Sequence, residues 1–218
     1  MADLLPILAI ETSGELCSVA LMMDEKSSVE FNYLQKHIHS EKLIEMIQTV
    51  LAISKVELNH VQSIAVSIGP GSFTGLRIGL SAAKGLALGS NLPIIPVPTF
   101  SAFAQQLSEN LQNGESFGII SNANIDEVYY SKFQKKNYRV EIIEDLKLVK
   151  KISLKEAAQS VNRIFGDIEL ENIIKTPFGS TAFSIAKWAY LFGKDLVTSN
   201  YDSLEPNYFK KFIPRAAR

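Results

Sequence analysis

The chain carries a single cysteine, Cys17, among its 218 residues. One thiol excludes an internal disulfide and fits a reducing compartment. Long apolar runs are also missing: none approaches the ~18 residues that span a membrane as a helix. The opening M-A-D-L-L-P-I-L-A-I-E-T has no basic flank and only a short apolar stretch, unlike a secretory signal. Nor is there an excess of one charge. Twenty-two Lys/Arg meet 23 Asp/Glu for a net of −1, which excludes wholesale attraction to nucleic acid or to a membrane. Residues 1–98 carry six Lys/Arg and nine Asp/Glu, and residues 99–218 carry sixteen and fourteen, an asymmetry too small to name a partner. The expectation is a cytoplasmic protein that contacts no membrane.

What is present is an ordinary globular composition, 46% apolar and 21% charged. Apolar runs over Pro6 to Glu11, Leu16 to Met23 and Val29 to Leu34, separated by turn clusters, predict an antiparallel three-stranded meander. Ser40 reads as an N-cap with Glu41 in the first turn. In the helix that follows, Leu43, Ile44, Met46, Ile47, Val50, Leu51 and Ile53 cover about half the wheel. That is wider than the ~100° stripe one sheet face requires, so part of this helix is expected to meet a partner. Ser63 to Ile68 reads as a buried strand. A Gly-rich turn, a helix over Ser72 to Leu88, a strand over Ile94 to Val97 and a helix over Phe100 to Leu111 follow. The second half repeats the opening, with strands over Phe117 to Ser121, Glu127 to Phe133 and Tyr138 to Val149. A helix over Leu154 to Val161, weak strands near Ile164 and Ile173, and an amphipathic helix over Thr181 to Phe192 complete it. The repetition predicts a duplicated α/β protein with halves at 1–98 and 99–218.

Residues 68–79, I-G-P-G-S-F-T-G-L-R-I-G, raise the question of a phosphate loop. Counted from Gly69, both the Walker A pattern and the dinucleotide fingerprint need a glycine where Thr74 stands. Gly69 and Gly71 therefore read as a tight strand-to-helix turn, although amides at a helix start can still hold an anion. Glu11, at the end of the first strand beside Thr12 and Ser13, can coordinate a hydrated metal or merely cap its turn. In the following helix Gly75, Gly79, Ala82, Leu86 and Gly89 form a stripe of mostly small residues. Each helical glycine costs about 1 kcal/mol relative to alanine, so a stripe of them implies a close neighbour, a second helix being the simplest. His37 and His39 lack a third ligand at helical spacing and read as surface residues. Cys17 and Ser72 have no identifiable base. Lys210, Lys211, Arg215 and Arg218 form a basic tail, read as solvated.

Taken together, I-L-A-I-E-T-S, C-S-V-A-L, H-S-E-K-L-I, S-I-G-P-G-S-F-T-G-L-R-I-G-L-S-A-A-K-G-L-A, D-E-V-Y and L-E-P-N-Y-F resemble the TsaB (YeaZ) family of tRNA threonylcarbamoyladenosine biosynthesis. The related catalytic subunit TsaD shares much of the Gly-rich block. The resemblance implies an actin-like ATPase fold of two duplicated α/β halves. It also implies a non-catalytic subunit that pairs with TsaD, helps recruit the ATPase TsaE, and meets tRNA indirectly. Alone, such a chain is expected to self-pair as a homodimer. TsaD-like chains carry a His-x-x-x-His metal pair where this one has Thr99 and Phe103, so no metal or cofactor is expected. Asn122-Ala123-Asn124 stands where the family more often has Asp-Ala-Arg. The pairing surface implied lies on the first two helices: Leu43, Ile44, Ile47, Val50 and Leu51 on one, Gly75, Arg77, Gly79, Ala82 and Leu86 on the other. Glu11, Thr12, Ser13, Gly69 and Gly71 are then the remnant of an ancestral phosphate loop. The competing readings are an ATPase or glycoprotease-type peptidase with its own activity, and a nucleotide-binding regulatory module.

Overall fold

The computed structural model describes residues 4–35, 37–157, 159–161, 163–166, 168, 173–176 and 179–207. The basic tail, from 208 onward, lies outside the described residues. The opening meander forms as expected. β1 (Ile7–Glu11), β2 (Leu16–Met22) and β3 (Ser28–Leu34) pair antiparallel, with Ile10 opposite Val19 and Val19 opposite Phe31. β4 (Ser63–Gly69) and β5 (Ile94–Pro98) then join parallel on the other side of β1, giving the order β3-β2-β1-β4-β5. β1 and β2 are buried along their whole length, as continuous apolar runs in the middle of a two-sided sheet should be.

The second sheet repeats this plan. β6 (Ser116–Asn122), β7 (Glu127–Lys136) and β8 (Arg139–Lys150) are antiparallel. β9 (Arg163–Gly166) and β10 (Ile174–Lys175) add in parallel, for β8-β7-β6-β9-β10. Two sheets of identical strand order make this the duplicated actin-like ATPase fold.

Two helical layers cover the first sheet. α1 (His39–Ser54) and α2 (Phe73–Ser90) lie side by side on one face, where Leu43, Met46, Val50, Leu80 and Ala83 pack on Leu8, Ile10, Val19 and Val66. α1 starts at His39 with Ile38 before it, so Ser40 lies inside the first turn and is not the N-cap; no side chain caps this end. On α2, Ser72 is the N-cap, its Oγ accepting from the Gly75 amide at 3.2 Å. α3 (Thr99–Ser108) packs under the opposite face and reaches the second sheet through Phe100 and Phe103, which meet Phe117 and Phe133. The short α4 (Leu154–Ala157) follows β8.

The last helix, α5 (Ala182–Phe192), crosses back from the second half of the chain to the first sheet. Ala182, Ala186 and Ala189 sit against Ala9, Ala20 and Ala65 in one buried cluster, and the small side chains let backbone approach backbone. Its first amides are satisfied by the sheet. Ala182 N donates to Ser18 Oγ at 2.8 Å and Phe183 N to the Glu30 carboxylate at 2.7 Å. A carboxylate at a helix N-terminus complements the macrodipole. Beyond it, Thr198 pairs with Ile94.

Candidate functional site

Two surfaces meet at the Gly-rich turn. The first is the junction between the end of β1 and the start of α2. Thr12 Oγ1 donates to the Gly75 carbonyl at 2.8 Å, and Ser72 N donates to the Ser13 carbonyl at 2.7 Å. Gly69, at φ +110, donates its amide to Thr99 Oγ1 at 3.0 Å. The glycines make this approach possible. A Cβ on Gly71 would stand 2.5 Å from the Ser13 carbonyl oxygen, on Gly75 2.0 Å from that of Thr12, and on Gly79 2.2 Å from Thr12 Oγ1. Amides that a phosphate would need, those of Gly69, Ser72 and Gly75, are thus spent inside the chain.

Glu11 is the buried anchor of this junction. Its Oε1 accepts from Ser13 N at 2.5 Å and from Ser67 Oγ at 3.0 Å, while Oε2 has no partner among the described residues. Burial pushes its pKa up to about 7, against the opposing pull of those hydrogen bonds. The same burial, with Glu11 nearby, raises the Cys17 thiol to about 11, so Cys17 is an inert core residue.

Beside the junction a cleft of about 530 Å³ opens towards the second sheet, lined by Ser13, Gly14, His37, His39, Thr74 and Ser121 among others. His39, read from sequence as a surface residue, is buried. Its Nε2 lies 3.3 Å from the Leu16 carbonyl, and burial lowers its pKa, favouring the neutral ring. His37 is exposed and holds a left-handed φ of 62°. Most of the residues lining the cleft are polar, and the ionisable ones among the described residues are Glu15 and the two imidazoles.

The second surface is the outer face of α1 and α2, and here the residues predicted to meet a partner divide. Leu43, Ile47 and Val50 are buried in the chain's own core. Gly75 and Gly79 are buried against Thr12, so the close neighbour implied by the glycine stripe is the β1–β2 turn and not another subunit's helix. Leu51, Ala82 and Leu86 are half-buried flanks of the same core. Ile44 is 52% exposed, and Arg77 is exposed with its guanidinium 4.0 Å above the Phe73 ring.

The outward ridge of α2 consists instead of Thr74, Arg77, Ser81, Gly85 and Leu88, spaced by three and four residues and all exposed. Leu88 is 73% exposed, and a Cβ on Gly85 or Gly89 would meet nothing within 4 Å. Of this ridge sequence reasoning anticipated Arg77 and missed the rest, because both faces of α2 carry small residues and only the sheet decides which is inside. Thr99 and Phe103 have structural places, the first on the Gly69 amide and the second in the aromatic core of the second sheet.

Comparison with known proteins adds to this geometry. Residues 33–197 match the family model described as TsaD, tRNA N6-adenosine threonylcarbamoyltransferase. The chain is 34% identical over 197 residues to the tRNA threonylcarbamoyladenosine biosynthesis protein TsaB of Haemophilus influenzae, covering 90% of this chain and 81% of that one. It is 38% identical over 130 residues to the Escherichia coli protein of the same name, covering 59% and 55%. In fold it is similar to YeaZ from Pseudomonas aeruginosa, with a TM-score of 0.75 at 24% identity over 93% of this chain and 98% of that one.

Proposed function

The chain belongs to the TsaB family of tRNA threonylcarbamoyladenosine biosynthesis proteins, and from that premise we propose that it is a non-catalytic subunit that docks on the threonylcarbamoyltransferase TsaD through the outer face of α1 and α2. The observation that carries the reading is the open ridge of α2. Gly85 and Gly89 lie inside or at the end of a helix with nothing above them, beside exposed Leu88 and Ile44. A helical glycine costs about 1 kcal/mol relative to alanine, and nothing within the described chain returns that cost. A helix from a second subunit, crossing close over Gly85, would return it through backbone-level packing.

Docking there would bias TsaD towards its active arrangement by differential binding, for modification of the adenosine 3′ of the anticodon. TsaE would join the resulting assembly. With TsaD absent, the same ridge would pair with a second copy, because a two-fold contact needs only a self-complementary patch. The catalytic reading has less support. Thr99 and Phe103 occupy the positions where TsaD-like chains carry histidines, and both are committed to packing or backbone hydrogen bonds.

Reconstitution tests the proposal. TsaD, TsaE and tRNA should modify slowly without this chain and faster with it, and the chain should co-purify with TsaD. Full-rate modification in its absence would contradict the reading. Steady ATP or peptide turnover by the isolated chain would support the competing enzyme.

A further inference from the structure

Away from both surfaces, the tip of the β7–β8 hairpin overhangs a groove of about 620 Å³ between β8, α3 and α5. That volume lies in the range of ligand-binding clefts. One wall is aromatic, with Trp188 and Phe192 at a ring separation of 5.7 Å. Arg139 lies over it, its guanidinium 5.8 Å from the Phe192 ring. The rim carboxylate Glu141 is already paired with Lys136 at 3.1 Å, whereas Arg139 has no carboxylate partner among the described residues.

Side chains of the neighbouring segments hold the hairpin's turn through hydrogen bonds to its backbone. Gln105 Nε2 donates to the Tyr138 carbonyl at 3.1 Å, and Asn137 N donates to Asn113 Oδ1 at 2.7 Å. Asn137 takes the left-handed conformation of the turn, with φ 57°. This leaves Tyr138 92% exposed at the tip, between Lys136 and Arg139. Residues 132–151 carry seven Lys/Arg against three Asp/Glu, a net of +4 on a chain whose total is −1.

We propose that this groove takes an unpaired nucleotide of the tRNA substrate, with the base against the Trp188–Phe192 wall and the phosphate on Arg139, while Tyr138 at the hairpin tip contacts the neighbouring RNA strand from outside the groove. The inference rests on the chain's placement in a tRNA-modifying assembly. Tilted 56° to each other, the two rings offer separate faces on which a base of any kind can stack, and a guanidinium with no carboxylate partner among the described residues favours an attached phosphate over a neutral ring. An acidic peptide would satisfy Arg139 but would leave the aromatic wall without a planar partner. Because Arg139 and Tyr138 are both exposed, changing either leaves the core untouched.

Trp188 is the chain's only tryptophan, so its fluorescence reports on the groove alone. Titrating the full chain with an unmodified tRNA transcript should quench it in a saturable manner, with affinity falling as salt rises. Arg139→Glu should weaken this binding about tenfold or more, and Tyr138→Ala should weaken it less, with unchanged thermal melting. In the assembly with TsaD and TsaE, Arg139→Glu should raise the KM for tRNA while leaving kcat and the affinity for TsaD alone. No quenching at tRNA concentrations that saturate the assembly, or equal KM for wild type and Arg139→Glu, overturns the inference while leaving TsaD docking intact. Equal quenching by free AMP at matched concentration overturns it in favour of a free-nucleotide site. Quenching by an acidic peptide but not by tRNA overturns it in favour of a protein ligand. Loss of TsaD affinity by the wild-type chain would instead strike the docking proposal.

Discussion

Two glycines ten residues apart on α2 should respond in opposite ways to the same substitution. In Gly75→Ala the added methyl would stand 2.0 Å from the Thr12 carbonyl oxygen, a backbone atom in a fully buried residue that also donates its side chain to Gly75. Relief requires the β1–β2 turn and α2 to move apart by more than an ångström. Overpacking of this kind costs about 1–3 kcal/mol, and a clash with backbone belongs at the upper end. Replacing a helical glycine returns about 1 kcal/mol, leaving a net loss of about 2 kcal/mol. In Gly85→Ala the methyl meets nothing within 4 Å, so only the propensity gain of up to about 1 kcal/mol remains. For a chain of this size 1 kcal/mol moves the melting temperature by about 2–4 °C. Calorimetry on dilute isolated protein should therefore show Gly75→Ala melting about 4–8 °C below wild type and Gly85→Ala melting up to about 4 °C above it. A Gly85→Ala protein that melts well below wild type at a concentration where both are monomeric would refute the reasoning, because it would place a close neighbour over Gly85 within the chain's own fold. A Gly75→Ala protein as stable as wild type would refute the account of the junction.

The Glu11 carboxyl makes stability depend on pH. Its folded pKa of about 7 lies above the ordinary 4.5, so the folded state holds a proton that the unfolded state releases between those values. Stability contributed by that proton is complete below about pH 4.5 and is lost as pH rises through about 7, by roughly 3 kcal/mol in all. Urea unfolding should show wild type losing about that much relative to Glu11→Gln between pH 5 and pH 8, and parallel pH profiles for the two proteins would refute it. Leu43→Ala, at a side chain only 2% exposed in the α1 core, should cost about 2–5 kcal/mol in the same assay. A smaller loss would mean that α1 is not held by this face.

Much of the architecture was legible because its signals are local. The runs read as ending at Glu11, Met23 and Leu34 are bounded by turn residues, and each became a strand of the first sheet, the second ending one residue earlier at Met22. The repeat of that plan in Phe117 to Val149 was visible for the same reason, and the equal strand orders of the two sheets match it. The return of α5 was not legible. Nothing near Ala182 says that its neighbours are Ala9, Ala20 and Ala65, well over a hundred residues earlier, or that Ser18 and Glu30 satisfy its first amides.

The glycine stripe failed in a more instructive way. Its periodicity correctly implied that something lies against Gly75 and Gly79, but a backbone-level contact has the same signature whether it comes from another subunit or from the preceding turn. Ile44 survived as an exposed candidate while Leu43 and Ile47 did not. The wheel of α1 is apolar over half its circumference, and only the sheet fixes which edge of that arc is left outside.

The central claim is that this chain promotes tRNA modification by docking its α1–α2 face on the catalytic subunit. The most direct test is the rate of threonylcarbamoyladenosine formation by TsaD and TsaE with either wild type or Ile44→Glu supplied at equal concentration. Ile44 is about half exposed, so the substitution places a charge on the proposed contact without opening the core. The account predicts that the rate with Ile44→Glu falls towards that of the reaction lacking the chain and recovers only at much higher concentration of the variant. A rate equal to wild type at limiting concentration would contradict it.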